Sequence, residues 1–293
     1  QAPEEYVRPY EEMGLARGVA ITYAMIEIMD IGIGRILDEL QRLGLQDNTI
    51  VMFTSDNGPA FNLRDDQVPS GVSTDTRRHN CGFNGAKGSV LEGGIRVPMI
   101  LRWPDGLPGG GMEISDFVHF VDWMPTLLCA TGVMLPNGPP LDGDNILPQL
   151  RGEQLWGNPL RFWQFNDYQP VGTSNAAMRD GDWKLVRPTL PIRYATAEDE
   201  EAAQHYIDID IEYKYHPENI TGLMRDLDPK RIIPDSRTPE LYNIADDPQE
   251  KFDIAQRHPE RVIHMVRELE TWFEEVERER IVAHQETLSM VGI

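Results

Sequence analysis

The sequence predicts an α/β protein in which part of a mostly parallel sheet is flanked by helices. A smaller C-terminal α+β subdomain, with an antiparallel sheet and a long terminal helix, is predicted to follow. Three observations predict this class: an amphipathic segment that leads directly into a β-branched segment, a hairpin signal near residue 180, and a second amphipathic segment at the end. The Pro- and Gly-rich stretch 135–157 predicts a boundary between units 1–150 and 151–293.

The first unit begins with a helical pattern. Between residues 13 and 43 the apolar side chains recur mostly three and four positions apart, which predicts one amphipathic helix closed by Gly44. The run 49–54, TIVMFT, shows no alternation of polar and apolar residues, as expected of a strand buried on both faces. Because a helix followed by such a strand is typical of α/β crossovers, we expect neighbouring strands to run parallel.

A second apolar run, 97–103, predicts another buried strand. The chain enters it through Gly93-Gly94, and this glycine pair argues against a helix at that point. Glu92 and Arg96 flank the pair and are interpreted as a structural ion pair or as contacts that order the loop.

The remaining elements are predicted from caps and turns. A short helix is expected between Asp122, as its cap, and Gly132, as its end. Segment 176–186, AAMRDGDWKLV, predicts a hairpin that turns at its Asp-Gly dipeptide. Residues 190–238 show no clear period and are interpreted as an irregular insertion, before a short strand in ELYN and a long helix that starts near Pro259.

The composition excludes several kinds of partner. The 293 residues carry a formal net charge of −21, which disfavours nucleic acid and anionic membrane surfaces. No apolar run reaches the roughly 20 residues that a membrane-spanning helix needs. An anionic substrate fits this charge only if a local cation or a bound metal reverses its sign. Cys81 and Cys129 have neither CxxC spacing nor a neighbouring base, and are interpreted as structural or incidental.

The end of the first strand, FTSDNGPA, has two interpretations. Asp56 and Asn57 offer adjacent hard oxygen ligands, which suit Ca²⁺ or Mg²⁺. Followed by Gly58, the same residues are also ordinary turn chemistry, in which Asx side chains bond to their own backbone. Two ligands do not complete a site for a hard cation, so the residues alone leave both interpretations open.

The polar loops that follow hold candidate substrate contacts. Lys87 lies among glycines, where small neighbours would let a substrate approach its ammonium group, and the alternative is a solvated turn residue. Arg77, Arg78 and His79 stand together in the preceding loop, where His79 is a candidate substrate contact.

Taken in order, the motifs resemble those of the formylglycine-dependent sulfatases, which belong to the alkaline phosphatase superfamily. They are LDELQRLGLQDNTIVMFTSDNG, GAKGSVLEGGIRVPMILRWP, DFVHFVDWMPTLLCATGV, LDGDNILPQLRGE, AAMRDGDWKLV and ELYNIADDPQE. Only segments 60–80 and 190–238 lack a matching pattern. The resemblance implies the family's α/β fold, with 1–150 as the C-terminal part of the catalytic domain, and hydrolysis of sulfuric esters.

The resemblance also implies roles for particular residues. Asp56 and Asn57 match ligands of the family's single divalent cation, usually Ca²⁺, with Mg²⁺ as the alternative. Lys87 matches the catalytic lysine that contacts the sulfate group. The loop residues Arg77, Arg78 and His79 are expected to bind the substrate, which would be a sulfated small molecule or a sulfated carbohydrate.

The sequence departs from the family pattern at its beginning. No Cys- or Ser-x-Pro-x-Arg segment, whose first residue becomes formylglycine, is present. We therefore expect that the nucleophile lies in a missing N-terminal part, that this chain alone is inactive, and that its partners include that missing half or a second copy. Members of the family are periplasmic, lysosomal or secreted, and any signal peptide would precede Gln1.

Two other functions remain as alternatives. One is a sulfatase-like binding or structural module without activity. The other is a phosphodiesterase or phosphonate hydrolase of the same superfamily, in which extra metal-binding histidines near the Asp would be expected. No histidine adjoins Asp56, which favours sulfate.

Overall fold

The computed structural model describes residues 2–64, 67–134, 138, 140–166, 170–220 and 229–290. Its helices and strands, in chain order, are α1 Glu4–Glu12, α2 Arg17–Arg42, β1 Val51–Thr54, α3 Glu92–Ile95, β2 Met99–Arg102, α4 Trp123–Thr131, α5 Leu147–Leu150, β3 Arg161–Gln164, β4 Ala176–Asp180, β5 Trp183–Arg187, α6 Ala197–Tyr215, β6 Glu240–Asn243 and α7 Pro259–Met290. None of the helices described is both long and apolar enough to cross a membrane.

The predicted first helix is confirmed as α2, with α1 packed along it. Val7 of α1 is buried against Ala20 and Ala24, because small side chains on α2 let the two helices approach closely. Gly44 follows the helix end with φ of +67°, a left-handed conformation that glycine adopts without strain. Away from α1, helix α2 exposes five large apolar side chains: Met25, Ile26, Met29, Ile31 and Ile36.

The α/β class is confirmed, but the expected parallel pairing is wrong for the two strands of the first unit. Strands β1 and β2 form a two-stranded antiparallel sheet in which Thr54 pairs with Met99. Antiparallel pairing brings the chain back at the end of the sheet that it left, and the described residues of the connection contain no α-helix longer than the four-residue α3. Strand β1 is half-buried rather than buried on both faces.

Helix α4 lies where the sequence predicts it, although its cap works differently. Gly132 ends the helix with φ of +69°. Asp122 occupies the N-cap position, but its side chain makes no cap hydrogen bond to the helix. Its buried carboxylate instead accepts the backbone N–H groups of His119, at 2.8 Å, and Asp144, at 2.9 Å, and pairs with Arg161 of β3. Asp122 therefore ties the first unit to the C-terminal sheet.

The C-terminal sheet is a four-stranded antiparallel meander in the order β3-β4-β5-β6. The predicted hairpin is β4-β5, closed by the pair Asp180 and Trp183 around Gly181, whose φ is +57°. One face packs on the long terminal helix α7 through the fully buried side chains Met178, Leu185, Leu241, Met265 and Leu269. The opposite face packs on the loop of the first unit through Val90, Ala177, Val186, Tyr242 and Ile244.

The insertion 190–238 is not irregular throughout, which corrects the sequence interpretation. It contains the 19-residue helix α6, capped by the Thr196 hydroxyl, which accepts the Asp199 N–H at 3.1 Å. Only Ala203 of α6 is buried, so the helix has no apolar stripe for a periodicity search to detect. The boundary at 150/151 falls between α5 and β3 and stays a prediction.

Candidate active site

Asp56 and Asn57 lie immediately beyond the end of β1. The Asn57 amide donates to Asp56 Oδ1 at 2.5 Å, and Asp56 itself is exposed. This hydrogen bond lowers the pKa of Asp56 against the opposing effect of burial, and backbone N–H groups and the positive charge of Lys87 lower it further by smaller amounts. The carboxylate therefore stays ionised in weak acid, as a metal ligand must.

Lys87 is brought to the same place by close backbone packing. The Lys87 N–H donates to the Pro59 carbonyl at 3.0 Å, and the Gly58 N–H donates to the Gly94 carbonyl at 2.8 Å. A Cβ added at Gly58 would stand 1.8 Å from the Gly93 carbonyl oxygen, so only glycine permits this contact. The turn after β1 and the loop that carries Lys87 are thus fixed against each other.

The expectation that Gly93-Gly94 forms no helix is wrong, because the pair lies in the short helix α3, where the Gly93 N–H donates to the Asn84 carbonyl of this loop at 2.7 Å. Glu92 is buried, and its side chain lies 3.6 Å from Arg96, as the structural interpretation expected. Its closer partner is the fully buried Lys184 of β5, whose Nζ lies 2.8 Å from Glu92 Oε1 and 2.8 Å from Glu250 Oε1. Burial raises the pKa of Glu250, whose Oε2 accepts the Glu92 N–H at 2.6 Å. Sequence reasoning missed Lys184, although a lysine inside the apolar strand WKLV signals a buried partner.

The three residues of the preceding loop have different surroundings. The Arg77 guanidinium forms an exposed ion pair with Asp75 at 2.5 Å. Arg78 is half-buried and donates to the carbonyls of Ala60, at 2.8 Å, and Thr76, at 3.1 Å, and this burial lowers its pKa. His79 is exposed. Arg78 therefore anchors the loop beside the Asp56 turn, and the substrate-binding roles of all three stay predictions.

The turn after β1 carries donor atoms that suit a hard cation. Asp56 and Asn57 supply carboxylate and amide oxygens, the donor types that Ca²⁺ and Mg²⁺ prefer, and these fit half of such a site. Among the residues that the structure describes, no group of three or more His, Cys, Asp and Glu stands close enough to hold a metal. The two residues fit a metal only if further ligands join them.

A separate cleft of about 1260 Å³ lies between β2 and the C-terminal sheet. It is lined by aromatic and charged side chains that include Phe117, His119, Trp163 and Arg179. Of the residues predicted to act in the site, none lines this cleft. Its His119 packs against Trp163 with ring centroids 4.8 Å apart.

Comparison with known proteins gives a consistent result. Residues 1–133 match the family model Sulfatase. The mouse steryl-sulfatase is 38% identical over 128 residues, covering 44% of this chain and 20% of that protein. An N-acetylgalactosamine-6-O-sulfatase of Bacteroides thetaiotaomicron is 26% identical over 277 residues, covering 92% of this chain and 44% of that protein.

Solved structures share the fold. The crystal structure of Ps i-CgsB in complex with a neocarrahexaose superposes with a TM-score of 0.65 at 22% identity, over 93% of this chain and 46% of that one. The phosphonate monoester hydrolase of Agrobacterium radiobacter superposes with a TM-score of 0.52 at 22% identity, over 87% of this chain and 41% of that one. The chain thus spans less than half the length of these relatives.

Proposed function

We propose that this chain belongs with the sulfatases of the alkaline phosphatase superfamily, to which its sequence and fold are similar, and that the protein hydrolyses sulfuric esters. One observation carries the proposal: the Lys87 loop is packed directly on the Asp56-Asn57 turn, by the bond from the Lys87 N–H to the Pro59 carbonyl at 3.0 Å. A cation and two hard oxygen ligands thereby meet at the end of one strand.

The residues have complementary roles in this chemistry. Sulfate transfer places negative charge on the nonbridging oxygens of the sulfuryl group, and a fixed ammonium group stabilises that charge. Lys87 supplies this ammonium in a chain whose net charge is −21. Asp56 and Asn57 would hold Ca²⁺, or alternatively Mg²⁺, which contributes Lewis acidity when bound. We propose that Arg77, Arg78 and His79 contact the rest of the substrate.

The nucleophile and the substrate class are part of the same proposal. We propose a formylglycine that a segment outside residues 1–293 supplies, so that the isolated chain does not turn over substrate. A sulfated carbohydrate is the proposed substrate class, because the similar Ps i-CgsB was crystallised with a neocarrahexaose.

The test uses the longest gene product that contains residues 1–293 and an aryl sulfate substrate. Lys87→Met should lower kcat/KM by about 100-fold, the scale of losing one group that stabilises transition-state charge, and Lys87→Arg should lose less. Lys251→Met, at an exposed lysine of the C-terminal unit, is the matched control. EDTA should abolish turnover, and Ca²⁺ should restore it.

The outcomes separate the alternatives. Absence of any sulfate ester hydrolysis by the wild-type gene product would favour the non-catalytic module. Faster hydrolysis of the matched aryl phosphate or phosphonate ester would favour the phosphonate hydrolase, whose fold this chain shares. Equal activity of Lys87→Met and Lys251→Met would refute the role of Lys87.

A further inference from the structure

We propose that Asn175, which immediately precedes β4 of the C-terminal sheet, is a positioning residue for Lys87. Its side-chain amide donates from Nδ2 to the Gly88 carbonyl at 2.7 Å, and its Oδ1 accepts the Val90 N–H at 3.2 Å. These two groups belong to the residues one and three positions after Lys87. Asn175 therefore anchors the Lys87 loop through contacts separate from those that join it to the Asp56 turn.

The chemistry of the position specifies asparagine. Nδ2 also donates to the Phe165 carbonyl at 2.9 Å, so both of its hydrogens and the oxygen are used. The side chain is 4% exposed, and its φ is +45°, a left-handed conformation that asparagine tolerates better than most residues. Only an amide can give two N–H donors and one acceptor in this place.

These contacts fix the backbone of the loop that carries Lys87. On one side the Lys87 N–H is bonded to the Pro59 carbonyl, and on the other the Gly88 carbonyl is bonded to Asn175. Anchors on both sides limit the backbone freedom of Lys87, so the base of its exposed side chain has a fixed position before a substrate arrives. The role in catalysis rests on the proposed sulfatase function, whereas the anchoring of the loop does not.

The first experiment measures amide hydrogen exchange without any need for activity. Asn175→Asp keeps the shape but puts a carboxylate oxygen against the carbonyls of Gly88 and Phe165. Exchange at the Lys87 and Val90 amides should speed up at least tenfold, while the Met178 and Leu185 amides of the sheet stay unchanged. Asn166→Asp is the matched control, because the Asn166 amide donates to Val171 and Ser174 instead.

The results decide the anchoring role. Unchanged exchange at Lys87, or a uniform increase through β4 and β5, would overturn the proposal. If Asn175→Asp does not fold, Asn175→Gly replaces it, since glycine accepts the positive φ and leaves no buried charge. Failure of both variants to fold would make Asn175 a requirement of the fold and overturn the positioning role.

The second experiment asks whether Asn175 acts through Lys87. In the longest gene product, Asn175→Asp should lower kcat/KM for an aryl sulfate at least tenfold when Lys87 is present. The same change should cost less than twofold in a Lys87→Met background. Equal losses in both backgrounds would overturn the proposal. If the wild type lacks sulfatase activity, the proposed function fails while the exchange data still decide the anchoring of the loop.

Discussion

The two sheets of the molecule differ in how completely they are buried. In the C-terminal sheet Met178, Leu185 and Leu241 are each 0% exposed beneath helix α7. In the two-stranded sheet β1 is half-buried, and Ile100 of β2 is 62% exposed. The C-terminal unit therefore has a closed core of its own, whereas the first unit presents apolar surface outward. The candidate site lies where the C-terminal unit contacts the loop of the first unit that carries Lys87.

The largest effect should come from the closed core. Leu241→Ala should lower the free energy of unfolding by about 3 kcal/mol, because it removes two buried methyl groups and the methine carbon that carries them, and leaves a cavity. Leu43→Ala removes the same atoms at the end of α2, where the side chain is 52% exposed, and should change stability by less than about 0.5 kcal/mol. Denaturant unfolding followed by circular dichroism measures both. Similar losses for the two variants would contradict the contrast between the units.

The next largest effect on stability concerns His119, which contacts Trp163 where the two units meet. Burial beside Trp163 lowers the pKa of His119 from 6.5 to about 4, against the attraction of Asp122. The unfolded chain therefore takes up a proton near pH 6.5 and the folded chain only near pH 4. The stability that neutral His119 permits is complete above pH 6.5. It falls by up to about 3 kcal/mol as the pH drops to 4.

His119→Asn should flatten this part of the stability profile. Its carboxamide oxygen can accept the Val121 N–H that His119 Nδ1 now accepts at 3.3 Å, but it does not titrate. His264→Asn, at a histidine whose side chain is 58% exposed on α7, should leave the profile unchanged. Unfolding free energies at pH 7, 5.5 and 4.5 provide the measurement. Equal slopes for wild type and His119→Asn would remove His119 as the cause.

Local patterns predict most of the elements and the strand-end residues. The three- and four-residue spacing predicts α2 and α7, and the Asp-Gly turn predicts the β4-β5 hairpin, since each depends on residues close in sequence. The proximity of Asp56 and Lys87 was implied by the resemblance of the ordered motifs to those of the sulfatases. It could not follow from either motif alone, because the glycine contacts that join them link residues more than 30 apart.

Features that depend on residues distant in sequence cannot be predicted from such local patterns. An apolar run indicates burial but not strand direction, so the antiparallel pairing of β1 and β2 was not predicted. Asn175 and Lys184 follow Lys87 by more than 80 residues, and nothing local connects them with its loop. Helix α6 had a local signal, the Thr196 cap with acidic residues in the first turn, but no apolar stripe to accompany it.

The smallest effect on stability, and the most direct probe of the open unit, concerns the exposed face of α2. Met29 and Ile36 lie on one side of this helix, 46% and 61% exposed. Replacing both with glutamine should change the unfolding free energy by less than about 0.5 kcal/mol, because no core is disturbed. It should also lower concentration-dependent self-association in sedimentation velocity, since contiguous apolar patches drive such contacts.

The control for this change is Asp30→Gln with Asp38→Gln, which alters two exposed positions of the same helix without removing apolar surface. If the exposed apolar face of α2 drives self-association, only the double variant at Met29 and Ile36 shifts the protein toward monomer. The control double variant leaves association equal, or slightly raised because it has lost negative charge. Identical sedimentation of both double variants would place self-association elsewhere. A wild-type chain that stays monomeric at all concentrations would show that this apolar face does not self-associate.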